Sequence, residues 1–232
     1  MAHYTDLESG DPGVDYAGYR EAFAPLPSGL YRRYFKRGLD GLSVLLAIPI
    51  VLPLVLIRGL MIRLDGGPVF FCQNRIGRHG RVFRLWKLRS MQVDAERRLE
   101  EHLAADPAAR AEWDETQKLK VDPRITPLGR LLRKTSLDEL PQLWNVLRGD
   151  MSLVGPRPML PDQEPLYPGT GLRAYYSLRP GLTGFWQISA RNEASFAARA
   201  VHDVLYARRM SLLTDLLVLV ATVRVVLRGT GY

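Results

Sequence analysis

From Leu42 to Ile57 the chain runs without a charge, and two prolines, Pro49 and Pro53, lie one helical turn apart inside that run. A helix that spans a bilayer needs about 20 apolar residues, and this stretch has about sixteen. Each proline removes a backbone donor and crowds the preceding turn, so a kink or break is expected there. Lys36 and Arg37 precede the run, and Arg58 and Arg63 follow it. Positive charge favours the cytoplasmic side, and here it stands at both ends. A segment that enters the bilayer, bends at Pro49 and Pro53 and returns to the same face satisfies length, kink and charge together. A buried core helix and a straight span are the competitors. Asp40, near the start, is expected to pair with Lys36 or Arg37 at the interface.

The rest of the composition narrows the partners. Lys and Arg number 32 against 24 Asp and Glu, a formal net charge of +8. Such a surplus suits nucleic acid, acidic lipid or a phosphorylated substrate. No basic stretch with interleaved aromatics is present, so nucleic acid is not expected. A Walker A loop, a Rossmann glycine fingerprint and a Gly-x-Ser-x-Gly elbow are also missing. The single Cys72 excludes an internal disulfide and a Cys-cluster zinc site, and the four histidines are scattered.

Along the chain, residues 1 to 30 read as a mobile tail, 31 to 64 as the membrane segment, and 65 to 232 as a membrane-associated cytosolic domain. Two strands, Val69 to Phe71 and Val82 to Trp86, flank Gly77-Arg78-His79-Gly80 as a hairpin. Asp94 to about Lys120 reads as exposed helix interrupted at Pro107. Shorter helices are expected over Leu128 to Arg133 and Leu137 to Leu147. The five prolines between Pro156 and Pro168 predict extended chain, and Thr183 to Ile188 reads as extended too. Helices follow at Ser195 to Arg209 and Leu212 to Leu227, the last suited to a membrane surface or to the core. The fold class is α+β, mostly helical.

Chemistry concentrates in Arg133 to Pro158, RKTSLDELPQLWNVLRGDMSLVGPRP. The adjacent acids Asp138 and Glu139 suit a nucleophile and a metal ligand, and arginines such as Arg133 and Arg157 can hold phosphates. Ser136-Leu137-Asp138-Glu139 also reads as an ordinary capping box at a helix start, with Pro141 in its first turn. Arg133, Lys134 and Arg130 would then merely balance the acids in surface pairs. Lys87 and Arg89 alternate on a strand and share a face, while Arg75 and Arg78 read as solvated cations.

Together these features resemble the bacterial sugar transferases, monotopic polyprenyl-phosphate phosphoglycosyl transferases. The resemblance runs from about Phe35 to Tyr232. It rests on Phe35-Lys36-Arg37 with Asp40, Gln73-Asn74-Arg75, Phe83 through Lys87 to Met91 and Asp122-Pro123-Arg124-Ile125-Thr126. It continues in Ser136 to Gln142, Asn145-Val146-Leu147, Gly149 to Ser152, Gly155-Pro156-Arg157-Pro158, Arg179 to Gly184, Trp186-Gln187, and Asp203 with Tyr206. It implies a re-entrant membrane helix followed by a small catalytic domain at the cytoplasmic face of the inner membrane, with interfacial amphipathic helices and a short β-hairpin. It also implies transfer of a sugar-1-phosphate from a UDP-sugar to undecaprenyl phosphate, with release of UMP, as the first membrane step of exopolysaccharide, O-antigen or capsule synthesis. Asp138 would be the nucleophile, Glu139 the Mg2+ ligand, and Arg133, Arg157 and Lys87 would hold substrate phosphates. Galactose-1-phosphate is the first expectation for the transferred group and glucose-1-phosphate the second. Oligomerisation is left open.

Two positions depart from the family pattern. Leu52-Pro53 replaces a Ser-Pro pair at the bend, and Ala190 stands where many members carry glycine. A non-enzymatic membrane scaffold of a polysaccharide assembly complex is the alternative; it would be indifferent to Asp138→Asn.

Overall fold

The computed structural model describes residues 29–64, 66–116, 119–189 and 198–227. After a π-helical turn at Tyr31–Phe35, helix α1 covers Lys36–Arg63 without interruption, running through Pro49 and Pro53. Its 28 residues give a helical contour length of about 42 Å. The chain stays helical through both prolines instead of breaking there. The apolar run is extended at both ends by residues that are helical because they dock on the rest of the chain.

That docking is selective. Lys36, Asp40 and Val44 are buried at one end of α1, and Gly59 and Ile62 at the other. Val44 packs with Leu85, Val146 and Met151, while Ile62 packs with Leu88 and Leu132. Leu85 and Leu88 are three residues apart, so both ends of α1 rest on the same folded body. Between Val44 and Gly59, where both prolines stand, no residue is buried. The most apolar eighteen-residue window is only 11% buried, and the helix is long and apolar enough to cross a membrane. A core helix of a soluble protein would bury its apolar side chains, so that competitor is rejected.

Strands β1 (Phe70–Ile76) and β2 (Val82–Leu88) pair antiparallel, with Cys72 opposite Trp86 and Ile76 opposite Val82. The hairpin is longer than its apolar residues suggested, because Gln73-Asn74-Arg75 continues the ladder. Helices α2 (Ala95–Ala105) and α3 (Pro107–Thr116) follow, divided at Pro107 as expected. Helix α4 (Pro127–Lys134) starts as its sequence dictates. Pro127 needs no donor at the first position, and the Thr126 hydroxyl accepts from Gly129 N at 2.9 Å.

The capping box at Ser136 does not form. Ser136 adopts a left-handed conformation (φ 55°) with no side-chain cap, and a single 3-10 turn, Leu137–Glu139, precedes helix α5 (Gln142–Arg148). Ser136 N instead bonds Arg133 O, so the residue reverses the chain after α4 rather than opening a helix. Asn145, fully buried in α5, accepts from Trp86 N at 3.1 Å and donates to Arg84 O at 2.8 Å, pinning α5 to β2.

Strand β3 (Ser152–Val154) pairs parallel with β4 (Gly181–Thr183). The approach is so close that a Cβ on Gly155 would lie 2.4 Å from Arg179 O, which only glycine avoids. Two expectations of extended chain are corrected. Pro161–Leu166 is a 3-10 turn, and Phe185–Ser189 is helix α7. In α7, Phe185 and Ile188 fall on one face and pack on the core, Phe185 edge-on to Tyr206 at 5.6 Å. Helix α6 (Gly169–Ser177) was not read from the sequence, its Gly-Thr-Gly start masking it; it packs on α8 (Arg199–Arg209). Helix α9 (Leu212–Leu227) has the expected bounds, burying Asp215 and Val218 and exposing Leu212, Leu213, Leu216, Leu217, Val220 and Val223. The class is α+β with a membrane-associated helix.

Candidate active site

Four elements meet at an open depression. It is lined by Arg75 of β1, Leu85 and Lys87 of β2, Glu139 and Gln142 around the 3-10 turn, and Arg157, Pro158, Gly181 and Leu182 from the β3–β4 end. Each is delivered by local structure. The reversal at Ser136 turns Glu139 towards β2, where Lys87 Nζ donates to Glu139 Oε1 at 2.8 Å. Beyond β3 the Gly155-Pro156-Arg157-Pro158 turn is clamped against β4, with Gly155 N to Thr183 O at 2.9 Å and Gly181 N to Pro156 O at 2.7 Å. This places an Arg157 nitrogen 3.8 Å from Glu139 Oε1. Glu139 is thus held between two cations.

Asp138 differs from its neighbour in every respect. It is only 5% exposed, and among the described residues it forms no salt bridge. Burial holds its carboxyl above the usual range, against the pull of the Lys87 charge; Glu139 pushes the same way as burial and Arg133 opposes it. Arg133 donates through Nε to Ser90 Oγ at 2.9 Å, and burial lowers its own pKa while Asp138 supports its charge. A buried carboxylate that accepts only from backbone and is biased by nearby cations suits attack better than holding structure.

The structure therefore brings together Asp138, Glu139, Lys87, Arg133 and Arg157. Arg89 is not with them: past the end of β2 it turns away, donating to Pro68 O at 2.7 Å and approaching Ile62 O. Pro49 and Pro53 lie on α1, outside the depression. Ala190 falls outside the described residues. Sequence reasoning missed Arg75, taken there for a solvated cation; it lines the depression and donates to Pro158 O at 3.0 Å. Its signal was available, since Gln73 and Arg75 alternate on one strand face and Gln73 Oε1 accepts from Arg75 at 2.7 Å.

Residues 31–229 match the family model described as bacterial sugar transferase. The chain belongs to that family. Similar to it are a UDP-galactose-lipid carrier transferase of Erwinia amylovora, 48% identical over 199 residues, and an undecaprenyl-phosphate galactose phosphotransferase of Salmonella typhimurium, 45% identical over 199 residues. Each alignment covers 86% of this chain but only 42% of the relative. The exopolysaccharide production protein ExoY of Sinorhizobium fredii is 45% identical over 197 residues, 84% of this chain and 87% of its own length.

The donor chemistry fits magnesium. Among the described residues no three His, Cys, Asp or Glu groups gather to cage a metal. Mg2+ does not ask for such a cage; one or two carboxylates together with substrate phosphates and water suffice. Asp138 and Glu139 offer such hard oxygen donors, while no thiolate or imidazole lines the depression.

Proposed function

We propose that this bacterial sugar transferase moves a hexose-1-phosphate from a UDP-sugar to undecaprenyl phosphate and releases UMP, through a covalent intermediate on Asp138. The observation that carries this reading is the contrast within one acid pair: Glu139 is engaged by Lys87 and Arg157, and Asp138 beside it is buried and, among the described residues, in no salt bridge. An Asp138 oxygen forms a bond to the sugar-bearing phosphorus as the diphosphate bridge breaks, and UMP leaves with the bonding pair. The lipid phosphate oxygen then bonds the same phosphorus, and the Asp138 carboxylate departs. Splitting one displacement into two is the gain of covalent catalysis. Arg133, Lys87 and Arg157 hold the phosphates by charge-assisted hydrogen bonds. Glu139 would hold Mg2+, which when bound supplies Lewis-acid neutralisation of phosphate charge.

Placement at a membrane supports the same reading. Both ends of α1 dock on one body while the proline-bearing middle stays uncovered, which suits a segment that dips into the cytoplasmic leaflet and returns. The exposed apolar face of α9 would rest on the same leaflet. The galactose named in two relatives makes UDP-galactose the first substrate to try and UDP-glucose the second. The deciding experiment is a UMP-release assay over a panel of UDP-sugars with undecaprenyl phosphate and Mg2+. Intact-protein mass after acid quench should gain one hexose phosphate without lipid, and none in Asp138→Asn. Turnover by Asp138→Asn at the wild-type rate would remove the mechanism.

A further inference from the structure

Four arginines, none of which lines the depression, gather around the point where α1 begins. Arg37, in the first turn of α1, donates to Val146 O and, at 2.6 Å, to Leu147 O. Arg179 donates to Gly149 O at 2.9 Å, so both reach the same end of α5. Gly149 lies between them, since a Cβ there would sit 3.5 Å from an Arg37 nitrogen. Arg32 donates to Ser177 O at 3.0 Å, close in the chain to Arg179. Arg78 stands on the exposed 3-10 turn Arg78–Gly80, which packs on α6 beside Tyr176. Burial lowers the Arg179 pKa, and the charges of Arg78 and then Arg37 lower it further; the Arg78 charge also reaches Arg32.

One account is structural. Arg37 and Arg32 meet carbonyls at the C-terminal ends of α5 and α6, where cations are favoured. That account has no place for Arg78, whose side chain makes no hydrogen bond or ion pair among the described residues. Nor does it explain why, among those residues, no carboxylate pairs with any of the four. Asp40 offsets the other charges at Arg179, but it is committed to Lys36 and Ser152. Asp150 accepts from Asn145 and pairs with Arg148 at 3.5 Å. The cluster is short of negative charge.

Its surroundings identify the source of that charge. The uncharged run of α1 starts at Leu42, about 7.5 Å along the axis from Arg37. Tyr34, Phe35 and Leu39 at this end are exposed, as aromatic and apolar side chains at a membrane interface are. Asp215 accepts from Tyr31 and Lys36, which brings the start of α9, with exposed Leu212 and Leu213, to the same place. A basic cluster rimmed by uncovered apolar side chains suits both parts of a lipid, its phosphate and its chains. A soluble anion would use only the first.

We propose that Arg32, Arg37, Arg78 and Arg179 bind the headgroup phosphate of an anionic membrane phospholipid and so hold the start of α1 at headgroup depth. Such a site requires that α1 enters a membrane and does not depend on the transfer reaction.

The test titrates dioleoyl phosphatidylglycerol, and separately dioleoyl phosphatidylcholine, into the full chain in maltoside micelles, with lipid adducts counted by native mass spectrometry. Wild type is expected to hold the anionic lipid about tenfold or more tightly than the choline lipid. Each basic group near a membrane surface strengthens such binding by about fivefold. Arg78→Gln should therefore lose about fivefold, and the double variant with Arg32→Gln about thirtyfold. Choline-lipid affinity should stay unchanged in both. Equal affinity of wild type for the two lipids, or a double variant that keeps the wild-type preference, overturns the site. An equal loss in Arg97→Ala, on the exposed face of α2, also overturns it, because the attraction would then belong to the whole basic surface. Displacement of the anionic lipid by millimolar inorganic phosphate would make the ligand a free anion. Displacement by an equimolar short-chain polyprenyl phosphate would make the cluster the acceptor's site. Either result overturns the phospholipid assignment. Should the double variant unfold, exposed Arg78 carries the test alone, and unchanged affinity in Arg78→Gln overturns the site equally.

Discussion

Two clusters of acids and cations in this chain are built from similar side chains to opposite ends. Beneath α1, Lys36 Nζ meets Asp215 at 2.7 Å and Asp40 at 3.4 Å. Ser152 Oγ donates to Asp40 at 2.6 Å, and Tyr31 and Tyr206 donate to the two oxygens of Asp215. Every charged group there is buried and met by a partner. At the depression and the acid pair beside it, Lys87, Arg133, Arg157 and Arg75 outnumber Asp138 and Glu139, and among the described residues Asp138 has no ion pair. The first cluster joins α1 to β3, α8 and α9, and a saturated network leaves nothing for a ligand to satisfy. The second is left short of negative charge, which a phosphate substrate supplies.

The largest effect that would sharpen this contrast is on catalysis. Asp138→Asn is expected to lower UMP release by on the order of 10^4-fold, as loss of a nucleophile does, without destabilising the fold. Because burial raises the Asp138 pKa in the folded state, its ionisation opposes folding. That cost is absent below the ordinary carboxylate range and grows as pH rises through the raised value. The stability of Asp138→Asn relative to wild type should therefore increase with pH, read as Tm in the same detergent from pH 4 to 8. A variant less stable at every pH would mean that Asp138 is structural, and the contrast would fail.

Next in size is the saturated cluster. Lys36→Met leaves Asp40 and Asp215 buried without their cation, and breaking such a pair costs about 3–5 kcal/mol. Thermal unfolding should show a large drop, with turnover lost in parallel with folded protein. A variant that folds normally but has lost turnover would show Lys36 to be part of the chemistry.

How much of this could be read from residues depends on the range of the forces involved. Hairpin, α4, α9 and the division at Pro107 follow from local rules and were legible. The pairing of Lys87 with Glu139 was not, since it links β2 to a turn through the reversal at Ser136, whose left-handed backbone no local preference demanded. Asn145 escaped for the same reason: its partners are backbone atoms of a strand some sixty positions away. Re-entry was argued from length, kink and charge; what the apolar run did not show is that its flanks, Lys36 and Asp40 before it and Gly59 and Ile62 after it, are buried and continue the helix. Asp138 and Glu139 were found as a pair, but their unlike surroundings appear only once β2 and the Arg157 turn are folded against them.

A smaller effect concerns how the depression is tuned. Lys87→Met removes the cation that most lowers the Asp138 pKa and frees Glu139 from its 2.8 Å partner. Turnover should fall by about 10^2-fold, the usual loss when one charge-stabilising donor is deleted. Asp138 must be ionised to attack, so turnover declines as pH falls through its pKa. The acid limb of the wild type is expected above the ordinary aspartate value of about 3.9, and in Lys87→Met it should move higher still. A limb that moves to lower pH would show that Lys87 does not support the Asp138 charge.

The smallest effect belongs to a third group of charges, on α2 and α3, which are balanced but open to water. Arg97 bonds Asp94 and Glu101, and Arg110 bonds Asp114 at 3.0 Å, all on exposed faces. Water screens such pairs, and ordering their long side chains offsets the attraction. Arg97→Ala and Arg110→Ala should leave both Tm and the rate of UMP release unchanged within error, at low and at high salt. Neither cation excess nor burial is present there, so neither chemistry nor stability should respond. A tenfold loss of turnover in either variant would break the contrast, because substrate attraction would then be spread over the whole basic surface instead of residing in the Lys87, Arg133, Arg157 and Arg75 side chains at the depression.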